Sequence, residues 1–138
     1  MKIIYNIIEV RNLYQPKMKR DIRCPQDRGH DLFSGKWKTR IICILNEAGT
    51  LRYSELREEM GDITDAMLAS ALKGLIADDL VARQSYDEIP PRVEYSLTEK
   101  GSSVMPVLKK MCKWCSLFYE ENTENTMRQC QNCDYKNA

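Results

Sequence analysis

The sequence predicts a mostly α chain with a small β wing (α+β), on three observations. Apolar residues recur at helical spacing in three successive segments, each closed by glycine or by an acidic pair. Beyond Asp79 the period shortens to that of two strands. The loop joining those strands holds two adjacent prolines, which cannot donate ladder hydrogen bonds and make a stiff, protruding tip.

Length and composition set the frame. The chain has 138 residues, 43% hydrophobic and 30% charged, which suits one ordinary globular domain. The net charge of +1 is unevenly spread. Residues 1–29 hold seven Lys or Arg against Glu9, Asp21 and Asp27, a local +4 that leaves −3 on the rest. A positive arm on a mildly acidic body suits an anionic partner. No apolar run approaches the roughly 18 residues that cross a bilayer. Residues 1–10 are interrupted by Asn6 and Glu9 and lack a small-residue cleavage site, so no signal peptide and no membrane partner are expected. The expected location is cytoplasmic, where six cysteines imply thiol redox chemistry, metal binding or packing.

The elements follow in order. Residues 1–20 form an extension, with a β-branched strand candidate at 3–10 ended by Gln15-Pro16. Pro25 suits the first turn of a short helix to Leu32, broken by Gly35. Trp37, Ile41, Ile44, Leu45 and Ala48 mark a second helix, stopped by Gly49. A third helix over 53–60 buries Tyr53 and Leu56 and is closed by Gly61. Thr64 caps a fourth, whose inner face is Leu68, Leu72, Leu75 and Ile76. Strands are expected over 80–85 and 93–97. Thr98 then caps one long helix over 98–121, mildly kinked at Pro106. Its Val104, Leu108, Met111, Cys115 and Phe118 are spaced four, three, four and three apart, as in a coiled-coil seam, and are the expected dimer interface. Residues 122–138 read as a loose polar tail.

Helices, a tight turn and a hairpin in this order make a winged helix-turn-helix over residues 21–97, which reads duplex DNA or, alternatively, only docks proteins. The residues go further. Cys24-Pro25, Gly35-Lys36-Trp37-Lys38, Tyr53-Ser54-Glu55-Leu56 and Pro90-Pro91-Arg92-Val93-Glu94-Tyr95-Ser96-Leu97-Thr98, followed by Gly101, resemble the HxlR-type family of bacterial and archaeal regulators. The wing string is the most specific part. The resemblance implies a MarR-like winged helix, a homodimer built through terminal helices, and binding to palindromic operators in double-stranded DNA. It also implies that residues 64–77 are the recognition helix and 86–92 the wing. An effector, a small molecule or an oxidant, would shift the dimer helices and so the spacing of the recognition helices.

On that map Thr64, Asp65, Ala66, Ala69, Ser70 and Lys73 face the groove, and Lys36, Lys38, Arg40, Arg52 and Arg92 meet phosphates. The sequence departs from the family pattern here. Residues 62–79 carry Asp62, Asp65, Asp78 and Asp79 against Lys73, and the groove face has no Arg, Asn or Gln for bidentate base contacts. Steep salt dependence and modest sequence preference follow.

Among the cysteines, Cys24 stands at a helix start near Arg20, Arg23 and Arg28, where dipole and cations favour the thiolate. It also matches the N-terminal cysteine of thiol-stress sensors in the family, which makes it the redox-sensing candidate. Cys112 and Cys115, with Cys130 and Cys133, form two Cys-x-x-Cys pairs fourteen residues apart, near the spacing of tetrahedral zinc sites. A zinc-stabilised regulator, a redox pair and simple packing all stay open; no other cofactor is implied. Cys43 reads as core filler. The lone His30, beside Asp31, reads as a surface residue, and one histidine cannot furnish a Ser/His/Asp set. A thiol oxidoreductase would need a βαβ setting that the pattern lacks, so no enzyme is expected.

Overall fold

The computed structural model describes residues 21–120 and 124–138. The expected strand at 3–10 and five of the arm's basic residues, Lys2, Arg11, Lys17, Lys19 and Arg20, lie outside the described residues. The elements are α1 (Pro25–Leu32), α2 (Lys36–Ala48), β1 (Thr50–Arg52), α3 (Tyr53–Met60), α4 (Asp65–Ala77), β2 (Val81–Tyr86), β3 (Arg92–Leu97), α5 (Glu99–Ser102), α6 (Met105–Phe118), α7 (Arg128–Gln131) and a 3₁₀ turn (Tyr135–Asn137).

Helix α2 is the hub. Its Ile41, Ile42, Ile44 and Leu45 are fully buried and meet Leu56 of α3, Leu68, Leu72 and Leu75 of α4, and Met105 and Leu108 of α6. Apolar residues span most of one side of α2, because it is packed on several elements at once rather than on one. Gly49, at φ 82°, ends it in a conformation that a β-carbon would strain, and turns the chain into β1.

The sheet has three antiparallel strands in the order β1-β3-β2. Tyr95 of β3 lies between Leu51 and Arg83 and is buried beneath the wing. Strand β1 was not expected. Three residues are too few to show a period, and Thr50–Arg52 is a strand only because β3 supplies its partners.

The long helix expected over 98–121 is two helices. Thr98 caps the one-turn α5, Val104 precedes α6, and Pro106 sits in the first turn of α6. Proline has no N–H for a helical bond and its ring crowds the preceding turn, so it starts a helix instead of kinking one. Ahead of α5, Thr98 locks the junction with the end of α4. Its hydroxyl donates to the Asp79 carbonyl at 2.6 Å and accepts from the Gly101 N–H at 2.9 Å, while its N–H reaches Leu80 O at 3.1 Å. Gly101 is pressed on this junction: a β-carbon there would run into the Leu80 carbonyl.

The tail, expected to be loose, folds back on the body. Arg128 bridges Glu47 at 2.8 Å and Glu59 at 3.3 Å, and the buried Gln129 donates to Glu59 at 2.7 Å. Lys109 pairs with Asp134 at 2.7 Å, and the Lys113 ammonium donates to the Ala138 carbonyl at 2.7 Å. Partners from α2, α3 and α6, distant in sequence, decide this docking.

Candidate nucleic-acid interface

Helix α4 begins as its sequence dictates. Thr64 Oγ1 accepts from the Met67 N–H at 3.2 Å, an N-cap that satisfies one orphan donor. Leu68, Leu72 and Leu75 turn inward, which leaves Ala66, Ala69, Ser70 and Lys73 exposed on the opposite side. Met67, which the sequence map omitted, is 43% exposed on the flank of that face. Ala66, Met67, Ser70 and Gly74 form one wall of an open cleft, and Trp37 and Lys38 of α2 form the other. Lys38 lies across Gly74: a methyl placed there would stand 3.0 Å from its Cε and Nζ. A glycine at this turn admits the cation against α4.

The acidic count that set this helix apart is dispersed by the fold. Asp65 turns away from the outer face toward α3, where Arg57 Nε meets it at 2.7 Å and the Tyr53 hydroxyl donates to it at 3.3 Å. Burial first, and the Asp65 carboxylate second, push the Tyr53 phenol up and keep it a donor. Asp78 and Asp79 sit at the opposite end of α4, where their carbonyls accept from Lys100 and Thr98.

The expected phosphate contacts divide. Lys36 and Arg40 share a face of α2 and flank the Trp37 ring, with cations 4.4 Å and 5.3 Å from its centroid. They lie roughly half a turn around α2 from Lys38. Arg40 lines a cleft with Met111 and Cys112 of α6 and Met127 and Cys130 of the tail, away from α4. Arg52 is exposed at the end of β1, opposite Glu94. Arg92 is not a free cation either. It stacks 4.0 Å over Tyr86 and pairs with Glu88 at 3.3 Å. Its buried Nε has Glu94 at 3.4 Å, ion-pair distance without hydrogen-bond geometry. The arginine stiffens the wing, whose tip carries the fully exposed Ile89.

The expected dimer seam also divides. Leu108 is buried in the chain's own core and Val104 packs against it, so neither is free for a partner. The exposed stripe is Val107, Met111, Trp114 and Phe118, with Leu117 and Tyr119 beside it, each more than half exposed. Its spacing is again four, three, four. Two stripes of equal period lie on neighbouring faces of α6, and only the packing on α2 tells them apart. Trp114 packs against Phe118 with the rings tilted at 45° and centroids 5.2 Å apart. Cys115, half-buried, borders this stripe.

The sequence matches the profile of the HxlR-like helix-turn-helix family over residues 32–123. The chain belongs to that family. It is 43% identical over 101 residues to a Halalkalibacterium halodurans protein described as an uncharacterized HTH-type transcriptional regulator, covering 73% of this chain and 89% of that one. Among solved structures it is similar to a MarR-family regulator from Porphyromonas gingivalis, at 35% identity and TM-score 0.65, covering 75% of this chain and all of that one. It is likewise similar to the redox regulator HypR in its oxidized form, at 36% identity and TM-score 0.61, covering 71% of this chain and all of that one. This HxlR-like chain is a transcriptional regulator with a winged helix-turn-helix DNA-binding fold, not an enzyme. Among the described residues no helix is long and apolar enough to cross a membrane.

The cysteines of this HxlR-like chain fall into two settings. Cys24 is exposed just before α1, where the Asp27 carboxylate accepts its backbone N–H at 3.2 Å, and nearby Arg23 is paired with Asp21 at 2.6 Å. Arg20 lies outside the described residues. The second setting is a cavity of about 200 Å³ whose lining includes Cys43, Cys112, Cys130 and Cys133. Cys115, offered by the sequence as the partner of Cys112, does not line it; Cys43 from α2 does. Burial, then Cys130, Cys112 and Cys133, push the Cys43 thiol up to about 12. Burial also raises Cys112 and Cys130, with Arg40 partly offsetting the rise at Cys130. As placed, no three His, Cys, Asp or Glu among the described residues are grouped so as to hold an ion.

Proposed function

We propose that two copies of this chain grip a palindromic operator, each setting α4 in a major groove and its hairpin against the neighbouring backbone. The observation that supports this best is the exposed face of α4. Ala66, Ala69 and Ser70 are small enough for close approach, Met67 and the alanine methyls suit thymine methyl groups, and Lys73 and Lys38 face phosphates on either side. Lys36 and Arg52 add positive charge nearby, and Arg92 acts by holding the wing in shape. The exposed stripe of α6 from Val107 to Phe118 supplies the apolar surface that a partner's α6 would cover. Half-sites then lie about one helical turn apart, or a multiple of it.

Cys24 is the proposed sensor. Its exposure and its place at a helix start favour reaction with a peroxide, and HypR, a structural relative, is described as a redox regulator. The thiolate attacks the O–O bond and becomes a sulfenic acid; two electrons pass to the peroxide, whose other oxygen leaves as water or alcohol.

Footprinting on DNA beside the protein's own gene, with and without peroxide, tests both claims. Reduced protein is expected to protect two symmetric half-sites, peroxide to abolish protection, and Cys24→Ser to stay bound under oxidant. Reduced dimer without attraction to any duplex, even in dilute buffer, would sink the DNA reading. Equal loss of binding by wild type and Cys24→Ser would sink the sensor.

A further inference from the structure

We propose that Cys43, Cys112, Cys130 and Cys133 form an all-thiolate tetrahedral site for a structural zinc ion that staples residues 124–138 to α2 and α6. Three separate stretches of chain bring these four thiols to the lining of one cavity: one from α2, one from α6 and two from the tail. In the tail, the Cys133 N–H bonds back to the Cys130 carbonyl at 3.4 Å, so the last Cys-x-x-Cys is a tight turn that faces two helices.

The tail's composition argues for a staple. Among its described residues only Gln129 is fully buried, and it is polar. Met127 packs against the core only partly buried, and the ion pairs that hold the tail lie at the surface, with Arg128 59% and Asp134 69% exposed, where such pairs hold a segment weakly. A segment that buries so little apolar surface gains fixed structure when a metal crosslinks it. The ligand set selects the ion. Four sulfurs with no histidine suit a soft, tetrahedral divalent ion, and a full set of four protein ligands leaves no open position, which marks a structural site.

Two features of the cavity favour the bound state. Each thiol must lose its proton to solvent as the ion binds, leaving a doubly negative cluster. Lys109, paired with Asp134, lines the same cavity, and Arg40 shares a neighbouring cleft with Cys130. As placed the four thiols are not grouped to hold an ion, so binding requires their side chains to rotate; a step between staggered χ1 wells carries a cysteine sulfur about 3 Å.

Zinc content and cobalt spectroscopy of the full-length chain, purified under reductant, provide the test. One zinc per chain is expected, and replacement by cobalt(II) should give the intense visible bands and sulfur-to-cobalt charge transfer of a tetrahedral thiolate site. Cys43→Ser and Cys130→Ser should each lose the ion, and Cys115→Ser and Cys24→Ser should keep it. Freshly reduced wild type that contains no zinc and shows no such spectrum on cobalt(II) titration overturns the site. Loss of zinc from Cys115→Ser with retention by Cys43→Ser overturns the choice of ligands. The wild-type titration stands even where a serine variant fails to fold.

Discussion

Arg57 Nε and Asp65 Oδ1 stand 2.7 Å apart across the turn between α3 and α4, with the Tyr53 hydroxyl on the same carboxylate oxygen. The pair turns an apparent liability into a tolerable one. An acid in the first turn favours the helix through its dipole, and its charge is met by a guanidinium before it can repel phosphate. Asp65→Asn is expected to tighten duplex binding, and Arg57→Ala to weaken it. Both partners are largely exposed, so the loss of stability in Arg57→Ala should stay below about 1 kcal/mol. Fluorescence anisotropy beside thermal melts separates the two effects; unchanged affinity in both variants would place Asp65 away from the DNA.

The cations of α2 should behave unequally. Lys38→Ala and Lys73→Ala are each expected to reduce the slope of log affinity against log salt by about 1, the signature of one lost phosphate contact. Arg40→Ala should leave that slope unchanged, because Arg40 lies in the cleft with α6 and the tail. Salt titrations of the three variants on one duplex check this; equal slopes in all three would contradict it.

At the hinge behind the wing, Gly101→Ala should cost about 1–3 kcal/mol or more, since the added methyl meets backbone that cannot swing away. Thr98→Val removes an N-cap worth about 1 kcal/mol and strips the Asp79 carbonyl of its donor. Denaturant unfolding measures both. A Gly101→Ala variant as stable as wild type would mean the α5 junction is looser than described.

Helix α6 should separate assembly from folding. Trp114→Glu and Leu117→Glu are expected to yield folded monomers by light scattering, with DNA affinity reduced. Leu108→Ala, in the chain's own core, should cost about 2–5 kcal/mol of stability without selectively dissociating the dimer. Dimers that survive both glutamate substitutions would move the interface elsewhere.

The metal reading also carries a stability consequence. Chelation of purified protein should lower the melting temperature and expose the tail to limited proteolysis, because binding free energy of a structural ion is folding free energy. The proteolysis pattern of chelated and zinc-replete samples checks it.

Much of this molecule was written locally. Gly49, Gly61, Thr64 and the Leu68–Leu72–Leu75 stripe define α2 through α4 because caps and periodicity act within a few residues, and the proline-stiffened loop marks the wing for the same reason. Those signals, with the ordered string from Pro90 to Thr98, were enough for fold and family. What tertiary structure decided were matters of partnership. β1 is a strand because β3 lies beside it, and Leu108 is core while Met111 is exposed because α2 covers one face of α6 and not the other. Asp65 is masked by Arg57 and Arg92 by Tyr86 and Glu88, pairings that a count of charges along the chain cannot show. Cys43 rather than Cys115 lines one cavity with the tail cysteines because the return of residues 124–138 onto α2 depends on contacts with Glu47 and Glu59, residues far away in sequence. Short-range sterics and hydrogen bonding set the elements; which surfaces face one another depends on a packing free energy that no local window contains.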